Sequence, residues 1–181
     1  MQSEKIIFAI LACVLIASLA FLALDSIPKQ PIAFFAYGAN LAASTMNARA
    51  GGYLNATPVE MPGYSIAFAS QDARPTEFGV ATLVQNESSD VLGALYYLTP
   101  EQLAALDKQS GFPSFYERRT VKVRLPDDNT VDAQAYFLAG NTHPAAPSRP
   151  YYLAVQGGMV AWGYDNDGLD AVVADAAARS S

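Results

Sequence analysis

A short loop after an apolar stretch carries the residues of this chain that are best suited to hold an anion. Residues 32–36 are apolar and predict a buried strand, and residues 41–49 favour a helix. Gly38 interrupts the pattern between them, and a glycine lets the backbone approach a ligand closely. A helix start presents unpaired N–H groups, and Asn40 is suited to cap it, so the turn predicts an anion site. An ordinary strand-to-helix turn has the same shape, so the turn alone leaves both interpretations open.

A second helix further along the chain has strong start and stop signals. Thr99 predicts the N-cap, Pro100 occupies the first helical position, and Gln102 completes a capping box. The helix is predicted to run to about Gln109 and to end at Gly111.

The order of these motifs resembles that of the γ-glutamylcyclotransferase family, which is also described as AIG2-like. The stretch Tyr-Gly-Ala-Asn-Leu at residues 37–41 is similar to the Tyr-Gly-Ser-Asn-Leu signature of that family. The chain is identified as a member because further similar stretches follow in the same order over residues 32–164. These stretches are residues 61–64, 79–84, 91–96, 103–111, 116–118 and 147–151.

The resemblance implies a reaction without a metal or cofactor. In the family, the α-amine of a γ-glutamyl substrate attacks its own γ-carbonyl and releases 5-oxoproline and a free amine. Most of the rate comes from holding the amine over the carbonyl. Backbone N–H groups of the signature loop hold the substrate's α-carboxylate, and one glutamate moves the protons. The implied ligand-binding residues here are Tyr37, Gly38, Ala39, Asn40, Leu41 and Tyr151.

This chain departs from the family at the position of that glutamate. The family's Leu-Asp-x-x-Glu-Gly pattern corresponds to residues 106–111, which puts Ser110 at the acid/base position. A serine hydroxyl cannot take up and keep a proton at neutral pH, where an α-amine is mostly protonated. Loss of a general base costs about 10²–10⁴ in rate, so Ser110 predicts a degenerate catalytic site. Ala39 replaces the family's serine, which removes a hydroxyl from the loop and keeps its backbone N–H groups.

Other acidic residues are candidates to replace the missing acid. Asp107 matches a family residue that accompanies the glutamate, which indicates a structural role. Glu117, on the next predicted strand, is the first substitute to test, and Asp72 and Glu77 lie in a polar loop. A solvated surface carboxylate explains each of them equally well. His143 is the only histidine, and without a Cys/His cluster the sequence predicts no metal site.

The remaining pattern predicts an α+β domain. Many short, mostly hairpin-linked strands alternate with a few helices, and the resemblance makes this a small mixed, mostly antiparallel β-barrel with surrounding helices. Turns are predicted at residues 62–63 and 86–90, and a loop at residues 141–147. The predicted strands are residues 57–61, 64–69, 79–84, 91–98, 115–125 and 131–138, and the last two helices are residues 148–160 and 169–179.

The N-terminal stretch predicts one transmembrane helix. Residues 6–24 carry no charge, and at about 1.5 Å per residue they nearly span a hydrocarbon core of about 30 Å. We therefore divide the chain into a tail of residues 1–5, a transmembrane helix of residues 6–25, a linker of residues 26–31 and a domain of residues 32–181. A cleaved secretory signal remains the alternative, although its apolar region usually has about 7–15 residues.

Charge and cysteine usage limit the environment and the partners. Lys5 and the amino terminus favour a cytoplasmic N-terminus and a domain outside, on the periplasmic side if the chain is bacterial. The formal net charge of −6 excludes nucleic acid as an expected partner. The only cysteine, Cys13, lies in the apolar stretch, so no disulfide is expected.

Three hypotheses follow for function. The first is a membrane-anchored, catalytically degenerate domain that acts as a binding module or as an accessory subunit among other membrane protein subunits. The second is an active cyclotransferase with a relocated acid. The third is a sensor that binds a γ-glutamyl compound or another small carboxylate without turning it over. A carboxylate that points into the pocket beside residues 37–40 would distinguish the second from the others.

Overall fold

Five strands close a barrel in the computed structural model, which describes residues 30–73 and 75–180. They follow the order β3-β1-β5-β4-β2, and the β2–β3 pairing completes the ring. β1 runs parallel to β5 and the other neighbours are antiparallel, which confirms the predicted small mixed barrel. The strands are β1 Ile32–Ala36, β2 Asn55–Gln71, β3 Val80–Leu98, β4 Tyr116–Arg124, β5 Thr130–Leu138 and the short edge strand β6 Thr142–Pro144.

The first strand lies in the barrel wall between β3 and β5. Phe35 is fully buried and pairs with Leu95 on one side and with Ala135 on the other. A strand with neighbours on both sides that packs into the core is expected to be a continuous apolar run, as residues 32–36 are. β1 therefore fixes where the following turn enters the domain.

β2 and β3 are longer than the sequence predicts. The predicted turns at residues 62–63 and 86–90 are wrong, because both segments continue as strands. Pro62 pairs with Asp90 and Tyr64 pairs with Gln85, so residues 86–89 bulge out opposite Gly63. A bulge bends a strand without ending it and tolerates proline, which explains why these turn-like residues did not break the ladder.

Within residues 30–73 and 75–180, four α-helices and one 3-10 turn surround the barrel. Thr99 and Gln102 form the predicted capping box of α2, with backbone-to-side-chain distances of 2.9 and 3.2 Å. Ser148 Oγ accepts a longer hydrogen bond of 3.4 Å from the Tyr151 backbone at the start of α3. The helices are α1 Ala43–Ala50, α2 Pro100–Ser110, α3 Arg149–Ala161 and α4 Asp167–Ala178, and the 3-10 turn is Ala39–Leu41.

Two local predictions are wrong around these helices. Asn40 is no helix cap, because it lies inside the 3-10 turn and α1 begins two residues after that turn ends, with Ala42 as an N-cap without a side-chain bond. Residues 141–147 contain the short strand β6, which pairs with the end of β2. A three-residue edge strand with two prolines nearby leaves too little pattern for prediction.

The predicted N-terminal tail, transmembrane helix and nearly all of the linker lie outside the described residues. Within residues 30–73 and 75–180, no helix has the length and apolar character needed to cross a bilayer.

Candidate functional site

A cavity of about 280 Å³ opens where β1 runs into the 3-10 turn. The turn forms one wall, the C-terminal end of α2 forms the opposite wall, and β3, β4 and β5 contribute the side walls. The lining is mostly aromatic or small, with a few polar groups: Phe34, Phe35, Ala36, Tyr37, Gly38, Ala39, Asn40, Arg49, Val80, Ala81, Gln109, Ser110, Phe115, Tyr116, Tyr136 and Tyr151.

The turn wall depends on close packing at Gly38. A Cβ atom on Gly38 would lie 3.1 Å from the Ala81 side chain and 3.2 Å from the Tyr151 hydroxyl, closer than ordinary contacts. The Tyr151 hydroxyl in turn accepts a hydrogen bond of 3.1 Å from the Ala81 backbone N–H. The missing side chain therefore lets the turn, β3 and α3 meet around one tyrosine hydroxyl.

Arg49 gives the cavity its positive charge, and no sequence pattern pointed to it. It lies in the last turn of α1, and its Nη1 donates a 2.9 Å hydrogen bond to Asn40 Oδ1. Among the described residues, it is the only charged side chain of the lining. Arginine near a helix C-terminus is usually explained by the helix dipole, so its type and position alone gave no signal of a site. This contact also explains the role of Asn40, which orients the guanidinium instead of capping a helix.

Tyrosine hydroxyls surround the same space. Burial raises the pKa of Tyr37, Tyr116, Tyr136 and Tyr151 above the ordinary value of tyrosine. The positive charge of Arg49 acts in the opposite direction on the pKa of Tyr116 and Tyr151, which places its field inside the cavity. All these phenols are neutral at physiological pH, so none can serve as a base there. Tyr37 and Tyr136 already donate their hydroxyl hydrogens, to the Tyr136 carbonyl and to Asp107.

Ser110 is the last residue of α2 and lines the wall opposite the turn. Gly111 ends the helix in the left-handed conformation with φ of 73°, which glycine adopts without strain. Ser110 is 8% exposed, and its Oγ makes no hydrogen bond of ordinary geometry, although it is near enough to Tyr136 to lower that group's pKa. A buried hydroxyl without a partner is uncommon and is available to a ligand.

Asp107 lies outside the cavity and contacts Tyr136, a residue of the lining. Its Oδ1 accepts a 2.7 Å hydrogen bond from the Tyr136 hydroxyl and lies 3.4 Å from Arg118 Nε. Tyr136 lines the cavity and Asp107 does not, so the carboxylate contacts the cavity only through a phenol. This arrangement agrees with the structural role predicted for Asp107.

The structure does not bring the other candidate residues to the cavity. Glu117 Oε1 accepts a 2.6 Å hydrogen bond from Arg119 Nε at the outer surface of β4. Leu41 is fully buried beneath the turn, where its carbonyl accepts hydrogen bonds from Tyr96 and Trp162 at 2.9 Å each.

The remaining acidic candidates are exposed. Asp72 Oδ1 lies 2.8 Å from His143 Nδ1, and Glu77 lies in an exposed loop. The residues predicted for the ligand loop that do line the cavity are Tyr37, Gly38, Ala39, Asn40 and Tyr151.

A larger cavity of about 560 Å³ lies between β2 and α4. Its ionisable side chains already have partners: His143 contacts Asp72, and Arg179 pairs with Asp175 at 3.1 Å. Size alone therefore does not identify the candidate site, because the smaller cavity holds the unpaired hydroxyl and the charge that faces open space.

The smaller cavity can hold an anion and donate hydrogen bonds to a neutral ligand. Its described lining contains no carboxylate or imidazole, so it offers no group that accepts a proton from an ammonium at neutral pH. Over residues 30–73 and 75–180, no three His, Cys, Asp or Glu side chains come together as a metal site requires.

Comparison with known proteins connects the domain to a family. A family model described as gamma-glutamyl cyclotransferase, AIG2-like, matches residues 34–153. The gamma-glutamylcyclotransferase of Homo sapiens is 22% identical over 131 residues, which are 70% of this chain and 69% of that protein. The protein of the same name from Mus musculus is 23% identical over 126 residues, 67% of this chain and 66% of that protein.

Solved structures show the same fold. A structure named gamma-glutamyl cyclotransferase has a TM-score of 0.70 at 22% identity and covers 79% of this chain and 86% of its own. A yeast cyclotransferase named as specific to glutathione has a TM-score of 0.56 at 13% identity, with 83% of this chain and 97% of its own covered. The five-stranded barrel with its surrounding helices is therefore a known architecture.

Proposed function

The chain belongs to the gamma-glutamyl cyclotransferase, AIG2-like family, and on that premise we propose that its cavity binds small γ-glutamyl or related carboxylate ligands with little or no turnover. The observation that carries this proposal is Ser110. It occupies the wall where an acid/base group is needed, and the described lining offers no carboxylate in its place.

The binding part of the proposal rests on the turn wall. Gly38, Ala39 and Asn40 line the cavity at the start of a 3-10 turn, where backbone N–H groups lack helical partners. Arg49 adds a cation that is held in place by Asn40, and a guanidinium donates bonds that suit a carboxylate. A ligand carboxylate therefore has both a positive charge and several donors available.

The catalytic part requires two proton transfers. The α-ammonium of a γ-glutamyl substrate must lose a proton before its nitrogen attacks the γ-carbonyl carbon. The bond from that carbon to the leaving nitrogen then breaks, and the leaving amine takes up a proton. Ser110 can do neither step at neutral pH, so only slow cyclisation by positioning remains, about 10²–10⁴-fold below a complete site.

An active cyclotransferase is the second candidate function, because the Tyr136 hydroxyl connects the cavity to the carboxylate of Asp107. The 2.7 Å hydrogen bond from Tyr136 to Asp107 offers a path by which a proton could leave the cavity. The raised pKa of Tyr136 opposes this path, since the phenol would have to give its own proton to Asp107 while it takes one from the ligand. The names of the relatives agree with either candidate.

Membrane attachment is the other part of the proposal. Its support is the uncharged stretch of residues 6–24, which is long enough to cross most of a bilayer. We propose a single-pass anchor with a cytoplasmic N-terminus and the domain outside, and an accessory role beside other membrane protein subunits. The full-length chain is expected to stay with membranes in alkaline carbonate, and a chain that starts at Lys29 to be released; release of both would contradict the anchor.

The experiment for the proposed function combines binding and turnover on one sample. Full-length protein in mild detergent is titrated calorimetrically with a γ-glutamyl dipeptide, and the same mixture is then assayed for 5-oxoproline. Asp107→Asn provides the test of the second candidate, since it removes the only carboxylate of the described residues that contacts the cavity through a side chain.

We expect the native protein to bind the dipeptide measurably and to release little or no 5-oxoproline. Asp107→Asn should leave that low rate unchanged. Turnover at ordinary enzyme rates that disappears in Asp107→Asn would establish the active candidate. The absence of both binding and turnover would contradict the proposed function as a whole.

A further inference from the structure

We infer that the cavity selects small carboxylates whose neighbouring nitrogen is an uncharged amide, such as the lactam 5-oxoproline, over γ-glutamyl compounds with a free α-ammonium. The inference rests on the proposed function and goes further, because it names the ligand class. It follows from which charges the described lining holds and from the one hydroxyl that has no partner.

The charge of the lining is the first argument. Arg49 is positive, and no described lining residue is negative. A carboxylate finds an opposite charge in this cavity, whereas an ammonium beside that carboxylate finds only a like charge and neutral dipoles. A buried charge without a partner costs more than a neutral group, so the nitrogen is better accommodated without a charge.

The nearest negative charge does not remove this cost. Asp107 is separated from the cavity by Tyr136 and lies 3.4 Å from Arg118 Nε, so part of its charge is already compensated. Glu117 pairs with Arg119 outside the cavity. An ammonium inside the cavity would therefore have no direct carboxylate partner among the described residues.

The unpaired hydroxyl is the second argument. Ser110 Oγ is buried and can accept one hydrogen bond from a ligand N–H. A lactam nitrogen carries one hydrogen and no charge, so a single hydroxyl satisfies it. The α-ammonium of a γ-glutamyl compound carries three hydrogens and a charge. A single hydroxyl leaves at least one of those hydrogens without an acceptor and does not neutralise the charge.

The aromatic rings of the lining act against this preference, because they favour a charged nitrogen. Phe34, Phe115 and the tyrosines of the lining can attract a cation through their faces. Arg49 acts against that attraction in the same cavity. The two effects have opposite signs, so a direct comparison of ligands decides between them.

The test uses three ligands that differ at the nitrogen. Full-length protein in mild detergent is titrated with 5-oxo-L-proline, with L-proline and with a γ-glutamyl dipeptide. L-proline is the matched ligand, because it keeps the five-membered ring and the carboxylate but carries a charged ring nitrogen. We expect 5-oxo-L-proline to bind more tightly than L-proline and the dipeptide by about tenfold or more.

Variants locate the effect. Ser110→Glu supplies the missing negative charge and should remove or reverse the preference, whereas the neutral Ser110→Gln should keep it. Arg49→Gln should lower the affinity for all three carboxylate ligands by about tenfold or more, because it removes the cation. Arg179→Gln, which removes an exposed arginine outside the cavity, should leave all three affinities unchanged.

The outcomes separate this inference from the proposed function. Equal or tighter binding of L-proline than of 5-oxo-L-proline would overturn the inference and leave the binding site in place. Failure of all three ligands to bind would contradict the proposed function itself. Rising affinity of L-proline as its nitrogen deprotonates at high pH, with no such rise for 5-oxo-L-proline, would support the inference independently of the variants.

Discussion

The two facing walls of the cavity differ in how completely their polar groups are satisfied. On the turn wall, Tyr151 receives a hydrogen bond from Ala81, and Arg49 is fixed by Asn40. On the α2 wall, Ser110 is buried without a hydrogen-bond partner. In the proposed function the turn wall holds the ligand, and the described α2 wall offers no carboxylate to act on it.

In the proposed function, binding and proton transfer therefore depend on separate segments of the chain. The turn follows β1, and Ser110 follows the end of a well-capped helix, with some 70 residues of chain between them. A substitution at the end of α2 can therefore remove proton transfer without disturbing the strand, the turn or Arg49.

The largest expected effect comes from repairing the α2 wall. Ser110→Glu should raise the rate of 5-oxoproline release from a γ-glutamyl dipeptide by about 10²–10⁴, because it supplies a group that can carry the proton. The rate is measured by chromatography of the product. Ser110→Gln has the same length without the charge and should stay at the native rate; an equal gain in both variants would show that size, not proton transfer, is responsible.

A smaller effect is expected from disturbing the turn wall. Gly38→Ala places a Cβ about 3.1 Å from Ala81 and 3.2 Å from Tyr151, so the wall must move. We expect a loss of about 1–3 kcal/mol in the free energy of unfolding and weaker ligand binding. Chemical denaturation and calorimetry measure the two quantities.

Gly157 offers the matched control for that substitution. It lies in α3, and a Cβ added there would meet no atom within 4 Å. Gly157→Ala should therefore stabilise the helix by up to about 1 kcal/mol without affecting binding. If Gly38→Ala bound ligand as well as Gly157→Ala does, the close contact at the turn would have no role in the site.

The helix that carries Ser110 should be sensitive to the loss of its cap. Thr99→Ala removes the side-chain half of a capping box with both bonds present, and about 1 kcal/mol of stability should be lost. Ser148→Ala removes a single 3.4 Å bond and should cost less. Thermal unfolding compares the two variants, and a larger loss for Ser148→Ala would contradict this ranking of the helix starts.

The smallest effect concerns pH. Burial raises the pKa of Tyr37, Tyr116 and Tyr151, so their hydroxyls keep their protons below and somewhat above the ordinary value of about 10. The affinity for 5-oxo-L-proline should therefore be flat from about pH 6 to 9 and fall only at higher pH. A midpoint near neutrality, seen by titration at several pH values, would indicate a titrating group that the described lining does not contain.

Much of the fold follows from local signals in the sequence. The apolar run of β1 and the capping box of α2 depend on neighbouring residues, so pattern and propensity predict them. The segment at Gly63, opposite the bulge, is different, because a glycine after a proline suggests a turn and only the pairing of β2 with β3 keeps the strand continuous. Long-range pairing of this kind is not encoded in a short window.

The residues of the candidate site also differ in whether a short stretch of sequence predicts them. Tyr37, Gly38 and Ser110 are found from the signature and from the departure at the end of α2. Arg49 is not, because its role depends on how α1 packs back over the turn and on its contact with Asn40. Sequence patterns therefore located the ends of the elements that face the cavity, and tertiary packing determined which cation faces it.

The most direct test of a binding site without catalysis is a nuclear magnetic resonance titration of the full-length, isotope-labelled protein with a γ-glutamyl dipeptide. We expect the amide signals of Gly38, Ala39 and Asn40 to shift on addition of ligand while the dipeptide's own signals persist for hours. Rapid replacement of the dipeptide by 5-oxoproline would contradict the loss of catalysis. If the amide signals of Gly38, Ala39 and Asn40 did not shift at saturating ligand, the proposed site would be contradicted.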